Sequence, residues 1–254
     1  MKILASMLLG LALAFTPGPA LAQDQNTEKT VVFAVDPNWP PLEFLDSNQR
    51  IIGYAADFFT AVCREVGLKA EFVKVDWEQI FSGLEAGKFD AVMSSVTVTP
   101  ERRRTMDFTI PYYIVRQSLL VPHNSSLNNI RQLAGQKTGT QVETTATEIV
   151  EKIPGAVSVT YPSIEDAIKA LAAGELDAVI CEDVVAANYL GQSDLAAKVK
   201  MASIIDTPGA EELYSVAVKK NNLKVLVPLN DGIKAVRTKG LEEELRRKWF
   251  KGAK

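Results

Sequence analysis

Histidine and cysteine are nearly missing from these 254 residues, which hold one histidine, His123, and two cysteines, Cys63 and Cys181. A Cys/His cluster for zinc is thereby excluded, and a Ser-His-Asp triad would have to be built on His123 alone. No metal or other cofactor is expected. The two cysteines lie far apart, one in a predicted helix and one in a predicted strand. Two buried thiols are therefore expected, and a disulfide would form only if the fold brought them together. An excess of positive charge is missing too. Lys and Arg number 28 against 31 Asp and Glu, a formal charge of -3, which argues against a nucleic-acid partner. Nor is there an apolar run of membrane-spanning length, since the one from Ile3 to Phe15 is too short.

That short run has a different meaning. MKILASMLLGLALAFTPGPALA carries Lys2, then the apolar stretch, then Pro17 and Pro19, and ends on Ala20-Leu21-Ala22. This is the pattern of a secretory signal peptide over residues 1–22, cut after Ala22. Loss of Lys2 takes the formal charge to about -4. No cysteine stands at the cleavage site, so a free periplasmic protein is expected rather than a lipid-anchored one. With 47% hydrophobic and 23% charged residues, the remainder can bury one large core or two ordinary ones.

An internal repeat favours two. DWEQIFSGLEAGKFDAVMSS, from Asp76, aligns without gaps on SIEDAIKALAAGELDAVICE, from Ser163. The alignment matches Leu84 with Leu171, Gly87 with Gly174, and Asp90-Ala91-Val92 with Asp177-Ala178-Val179. Apolar positions fall at helical spacing in both copies, glycine ends each helix, and a short apolar strand follows. Helix followed by buried strand is half of a βαβ unit, so two distant copies predict two α/β lobes. Ser95 and Glu182 then take equivalent places at the carboxyl ends of their strands, where open α/β sheets bind ligands.

The remaining segments fit. Residues 31–35 read as a first strand that breaks at Pro37, Pro40 and Pro41, and residues 53–66 read as a helix ended by Gly67. Strands at 117–121 and 214–218 are predicted to cross between lobes. A final helix from about 223 to 249, interrupted at Thr238-Lys239-Gly240, is predicted to pack back on the first lobe.

In this order the chain resembles the polar amino-acid branch of the bacterial extracellular solute-binding proteins, the receptors of ABC importers. The resemblance is carried by DPNWPPLEF, SSVTVTPERRRTMDFTIPYY, GTQVETTATE and DAVICEDVVAANYL, which occur in the family's order and spacing over nearly the whole mature chain. It implies the type II periplasmic-binding-protein fold, with two βαβ-type lobes joined by a two-strand hinge. Residues 23–116 and 213–254 would form lobe 1, and residues 117–212 lobe 2.

The resemblance also implies roles. Arg102 would grip a ligand α-carboxylate, helped by Ser95 and Thr97. A guanidinium offers a carboxylate a bidentate fork, and strand alternation would put both hydroxyls on one side. Thr144 and Thr145 are expected to start a helix and give a second grip, with one of them as its cap. Glu143 stands there in place of the family's usual glycine. Glu182, in place of the usual aspartate, would meet the ligand's amine, with Asp183 a solvent or hinge-side acid. Trp39 and Trp77 would flank the ligand's side chain; core packing is an open alternative for Trp77, whereas Trp39 sits in a proline-rich loop. Asp36 and Glu43 make the pocket lean acidic, which favours a polar or basic L-amino acid. Arg103 and Arg104 read as solvated charge or partners of nearby acids.

The expected function is therefore binding of an amino acid by hinge closure and its delivery to the ABC permease by a monomer, with no catalysis. Two alternatives stay open from sequence: a cyclohexadienyl (arogenate or prephenate) dehydratase on the same fold, and a ligand-sensing receptor protein.

Overall fold

The computed structural model describes residues 29–206 and 211–250; the signal peptide expected over residues 1–22 lies outside them. The chain runs through β1 (Lys29–Val35), β2 (Asn38–Trp39), β3 (Glu43–Leu45), β4 (Ile51–Ile52), α1 (Tyr54–Glu65), β5 (Leu68–Lys74), α2 (Trp77–Glu85), β6 (Ala91–Val92), α3 (Arg102–Thr105), β7 (Met106–Phe108) and β8 (Tyr113–Pro122). After a 3-10 turn at Ile130–Gln132 come β9 (Lys137–Gln141), α4 (Thr145–Glu151), β10 (Val157–Tyr161), α5 (Ile164–Ala173), β11 (Ala178–Glu182), α6 (Asp183–Leu190), α7 (Ser193–Ala196) and β12 (Val199–Ile204). The chain closes with β13 (Glu211–Tyr214), β14 (Ala217–Lys219), α8 (Leu223–Thr238) and α9 (Leu241–Trp249).

These elements form two lobes. One sheet has the order β5-β1-β6-β14-β7, and the other has β10-β9-β11-β8-β12 with β13 also paired to β8. A small β2-β3-β4 sheet lies beside the first. The two repeat copies become α2 with β6 and α5 with β11, one in each lobe. Gly87 and Gly174 follow the two helices with φ of 71° and 80°, a conformation that glycine enters without a Cβ clash.

Burial follows the helical and strand periods. Helix α1 turns Tyr54, Phe58, Phe59, Val62 and Cys63 inward, onto a core that also takes Phe33 and Val35 from β1 and Leu229, Ile233 and Val236 from α8. Each such large side chain contributes roughly 1.5–3 kcal/mol by leaving water. The second lobe packs Ile164, Ile168 and Leu171 of α5 against Val179 and Cys181 of β11. Cys63 and Cys181 thus lie in separate cores as free, buried thiols.

The crossing segments sit a few residues earlier than the sequence predicts. Strand β8 pairs with β13 over Tyr113–Arg116 (Tyr214↔Tyr113, Glu211↔Arg116), and only then enters the second sheet between β11 and β12. Residues 117–121 are wholly buried because they form a central strand of that sheet. Ala217–Lys219 belongs to the first sheet, between β6 and β7. The lobes also interlock through side chains. Trp39, from the first lobe's proline-rich loop, packs in the core of the second, and Val142, from the second lobe, packs against the first-lobe cluster that includes Trp77, Ile80 and Val96.

Candidate functional site

The site forms where the carboxyl ends of the strands meet between the lobes. At the end of β1, Asp36 is 2% exposed; its backbone N–H donates to Ser94 Oγ at 2.9 Å. Its carboxyl accepts from Asn38 Nδ2 and, across the lobes, from Gln141 Nε2 at 3.1 Å. Burial raises its pKa, opposed by the side chains of Gln141, Asn38 and Trp39, which donate toward it. Glu43 of β3 has no exposure at all, and neither carboxyl oxygen completes a hydrogen bond with a protein group among the described residues. Its pKa is pushed well up by burial, against the nearby Ser95 hydroxyl, with Asp36 and Glu182 adding to the rise.

Ser95 departs from the predicted strand. Strand β6 ends at Val92, and Ser95 takes a left-handed φ of 47°, so the alternation expected along Ser95-Val96-Thr97 is broken. Both hydroxyls are nonetheless buried, at 7% exposure each. The tight turn re-aims Ser95 Oγ toward Glu43 and the Tyr112 hydroxyl, though it completes no hydrogen bond of good geometry.

Arg102 opens the short helix α3. Its Nη1 donates to Thr97 O at 3.0 Å and its Nη2 to Glu143 O in the other lobe at 3.2 Å, which leaves the rest of its five N–H donors for other acceptors. The guanidinium lies over Trp77 and Phe81, at 5.5 and 5.2 Å from the ring centroids, a cation–π seat that fixes its plane. Glu143 accepts this bond with φ at 57°. A left-handed backbone is what the family's glycine would supply; a glutamate adopts it at a cost of about 1 kcal/mol. Trp77 is thus both core and the floor under Arg102, and Trp39, 4% exposed, packs into the second lobe's core with its indole close to the Asp36 carboxyl.

In the second lobe, Thr144 is the N-cap residue of α4, as expected of one of the pair, but its hydroxyl makes no cap bond and instead donates to Gln141 O at 2.8 Å. Glu182 ends β11 and precedes α6, 4% exposed. Its pKa is lifted to about 7 by burial and then by the charge of Glu212. Asp183 is hinge-side, accepting from the Arg116 backbone and paired with its guanidinium at 3.5 Å. Arg103 and Arg104 are exposed, Arg103 lying over Phe108.

Three contributors escape the sequence reading: Gln117, Gln141 and Glu212. Register explains their convergence. Gln117 is opposite Glu182 across β8 and β11, and Val115, two residues earlier on the same face, is opposite Glu212 of β13. Gln117 Nε2 therefore reaches both Glu182 Oε1 at 3.2 Å and Glu212 Oε1 at 3.1 Å. Glu212 Oε2 accepts from Thr97 Oγ1 at 2.6 Å and from Thr145 Oγ1 at 2.9 Å, one hydroxyl from each lobe. The one available signal was the alternation of Glu211-Glu212-Leu213-Tyr214, which puts Glu212 on the buried face with Tyr214.

Of the ten residues expected in the site, Asp36, Glu43, Ser95, Thr97, Arg102, Thr145 and Glu182 converge on this cleft through the contacts above. Trp77 supports Arg102, Thr144 braces the loop from Gln141, and Trp39 packs into the second lobe's core beside the Asp36 carboxyl. Among the described residues no three His, Cys, Asp or Glu side chains gather as a metal site, and no helix is long and apolar enough to cross a membrane. The arrangement offers buried carboxyl groups, one seated guanidinium and hydroxyls to a polar organic solute held between two lobes.

Comparisons with known proteins agree with this architecture. The chain is 27% identical over 253 residues to the putative ABC transporter arginine-binding protein 2 of Escherichia coli (strain K12), covering 98% of each. Its structure superposes on an ancestral arginine-binding protein bound to arginine with a TM-score of 0.82 at 29% identity, covering 88% of this chain and 99% of the other. An ancestral amino acid-binding protein described as a precursor of cyclohexadienyl dehydratase gives 0.78 at 30% identity, covering 87% and 96%. The family model for bacterial extracellular solute-binding proteins, family 3, matches residues 31–252, and the chain belongs to that family.

Proposed function

We propose that this protein is the periplasmic receptor of an ABC importer, that its ligand is a basic L-amino acid, and that it captures the ligand by hinge closure. The single observation that carries the reading is the set of buried carboxyl groups between the lobes, Asp36, Glu43 and Glu182, in a cleft that the Arg102 guanidinium, seated over Trp77, bridges from Thr97 to Glu143. A basic amino acid presents an α-ammonium and a cationic side chain to those acids and a carboxylate to Arg102. Ligand groups that touch both lobes bind the closed state better than the open one, so the population shifts toward closure. Residues 23–116 with 213–254 would move as one body and residues 117–212 as the other, about the β8 and β13 crossing. The closed monomer would then dock on the membrane permease. That two relatives among known proteins are named for arginine supports the same ligand class.

Catalysis is the weaker reading. One structural neighbour is a precursor of a dehydratase, but prephenate is a dianion, and this site offers one guanidinium against several acids. No turnover of arogenate or prephenate is expected.

The test is a thermal-shift screen of residues 23–254, unfolded and refolded to strip carried-over solute, against the common L-amino acids. A ligand of the folded state raises Tm by mass action. A rise of several degrees with arginine, lysine or histidine is expected. A flat response to every amino acid would overturn the reading.

A further inference from the structure

Glu212 stands where a ligand's carboxylate is expected. Its Oε2 accepts from the hydroxyls of Thr97 and Thr145, from the two lobes, at 2.6 and 2.9 Å, and its Oε1 accepts from the side-chain amide Nε2 of Gln117 at 3.1 Å. Glu212 is 7% exposed and acts in these contacts purely as an acceptor. A hydroxyl carries a single hydrogen. While Glu212 holds them, Thr97 and Thr145 have none left to give to a ligand carboxylate. Thr145 is committed further, since its oxygen also receives Gln117 Nε2 at 3.4 Å. A ligand carboxylate brought to the same hydroxyls would also meet the Glu212 charge at close range, which is a repulsive, discriminating contact.

The neighbouring groups ask for positive charge. Both oxygens of Glu43 and one of Glu182, Oε2, are buried and complete no hydrogen bond of good geometry among the described residues, although the Ser95 hydroxyl lies near Glu43 and the Tyr214 hydroxyl near Glu182, and a buried acceptor left poorly matched is costly. Glu182 and Glu212 flank a single amide, that of Gln117. Among the described residues the acids do not gather into a metal cage, and their separate positions along the cleft suit an organic cation with separated N–H donors.

We propose that the ligand range of this site extends beyond α-amino acids to the corresponding decarboxylated amines, diamines and guanidinoalkylamines, which it binds at least as tightly, and that Glu212 sets this preference. The inference rests on the reading of the cleft as a cation-selective receptor site. An amine of this class carries the same two positive ends as a basic amino acid and lacks the group that competes with Glu212. Its ammonium can lie against Glu182 and Glu212 while its far end meets Glu43 and Asp36.

The experiment is isothermal titration of stripped protein with L-arginine, with 4-guanidinobutylamine, and with 1,4-diaminobutane, in the wild type and in Glu212→Gln and Glu212→Ala. The glutamine variant keeps the shape of the side chain and one of its two acceptor oxygens while removing the charge, and it guards against a folding defect in the alanine one. The expected result is a wild-type Kd for 4-guanidinobutylamine equal to or below that for L-arginine, with the ratio moving at least tenfold toward L-arginine in both variants. Tenfold tighter wild-type binding of L-arginine would overturn the inference and leave the receptor function standing. An unchanged ratio in both variants would overturn the role of Glu212. Heat from none of the three ligands would overturn both readings together.

Discussion

The two copies of the helix–strand repeat share a sequence pattern and end differently. In the first lobe β6 is paired for only two residues, after which the chain leaves the sheet, Ser95 turns left-handed, Thr97 follows outside any named strand, and Arg102 opens the short helix α3. In the second, β11 stays paired to β8 as far as Glu182↔Gln117 and passes directly into α6. One ending delivers hydroxyls and a guanidinium, and the other delivers a carboxyl group set by sheet register. A common scaffold thus carries opposite chemistry on its two sides, because the helix and strand fix where the chain emerges and the next few residues fix what emerges.

The comparison can be broken most severely at the first ending. Arg102→Ala is expected to weaken basic amino-acid binding by roughly 100-fold or more, about 3 kcal/mol, since charge-assisted hydrogen bonds are lost. Titration calorimetry would show it, and undiminished affinity would remove Arg102 from the site. The scaffolds themselves should differ next. A Cβ on Gly232 of α8 would lie 2.5 Å from the Val62 carbonyl oxygen of α1, whereas one on Gly139 of β9 would meet the end of the Leu176 side chain at 2.5 Å. Backbone cannot step aside as a side-chain tip can. Gly232→Ala is therefore expected to cost about 2–3 kcal/mol and Gly139→Ala about 1, read by urea denaturation. Equal losses would mean that the two lobes are packed with the same rigidity.

At the second ending, Glu182→Gln is expected to weaken cation binding roughly tenfold; unchanged affinity would separate Glu182 from the ligand. The smallest effect concerns pH. The Glu182 carboxyl titrates at about 7 in the fold against an ordinary 4.5, through burial and the Glu212 charge. The fold therefore binds the proton better than the unfolded chain does. The group's stabilising contribution is complete below about 4.5 and is lost as pH rises through about 7. The Tm of the stripped protein should fall by a few degrees between about pH 5 and 8. Glu182→Gln should flatten that slope in part only, since Glu43 is shifted in the same direction. A Tm rising over this range would contradict the assignment.

Much of this site was legible because its residues sit next to readable signals. Glu182 and the Ser95 segment were marked by the repeat, Arg102 by the family resemblance of the segment around it, and Asp36 by the end of a strand. Gln117 and Glu212 were not, because they lie 95 positions apart and each looks like one more polar residue in a strand. The burial of Trp39 was hidden for a related reason: the prolines around it announce a break in the strand, but the core that buries it belongs to the other lobe.

The sequence by itself determined the helices, most strands, the duplication and the acidic character of the cleft, since hydrophobic period and turn chemistry act over neighbouring residues. Only the tertiary structure decided that Ser95 would abandon its strand, and that Trp39 and Val142 would cross between lobes. It also decided that a carboxylate of the protein's own hinge would take the hydroxyls of both walls. Those outcomes depend on which strand pairs with which, and in what register. A single strand's alternation shows the face on which a residue lies, and the partner across that face is chosen by the rest of the chain.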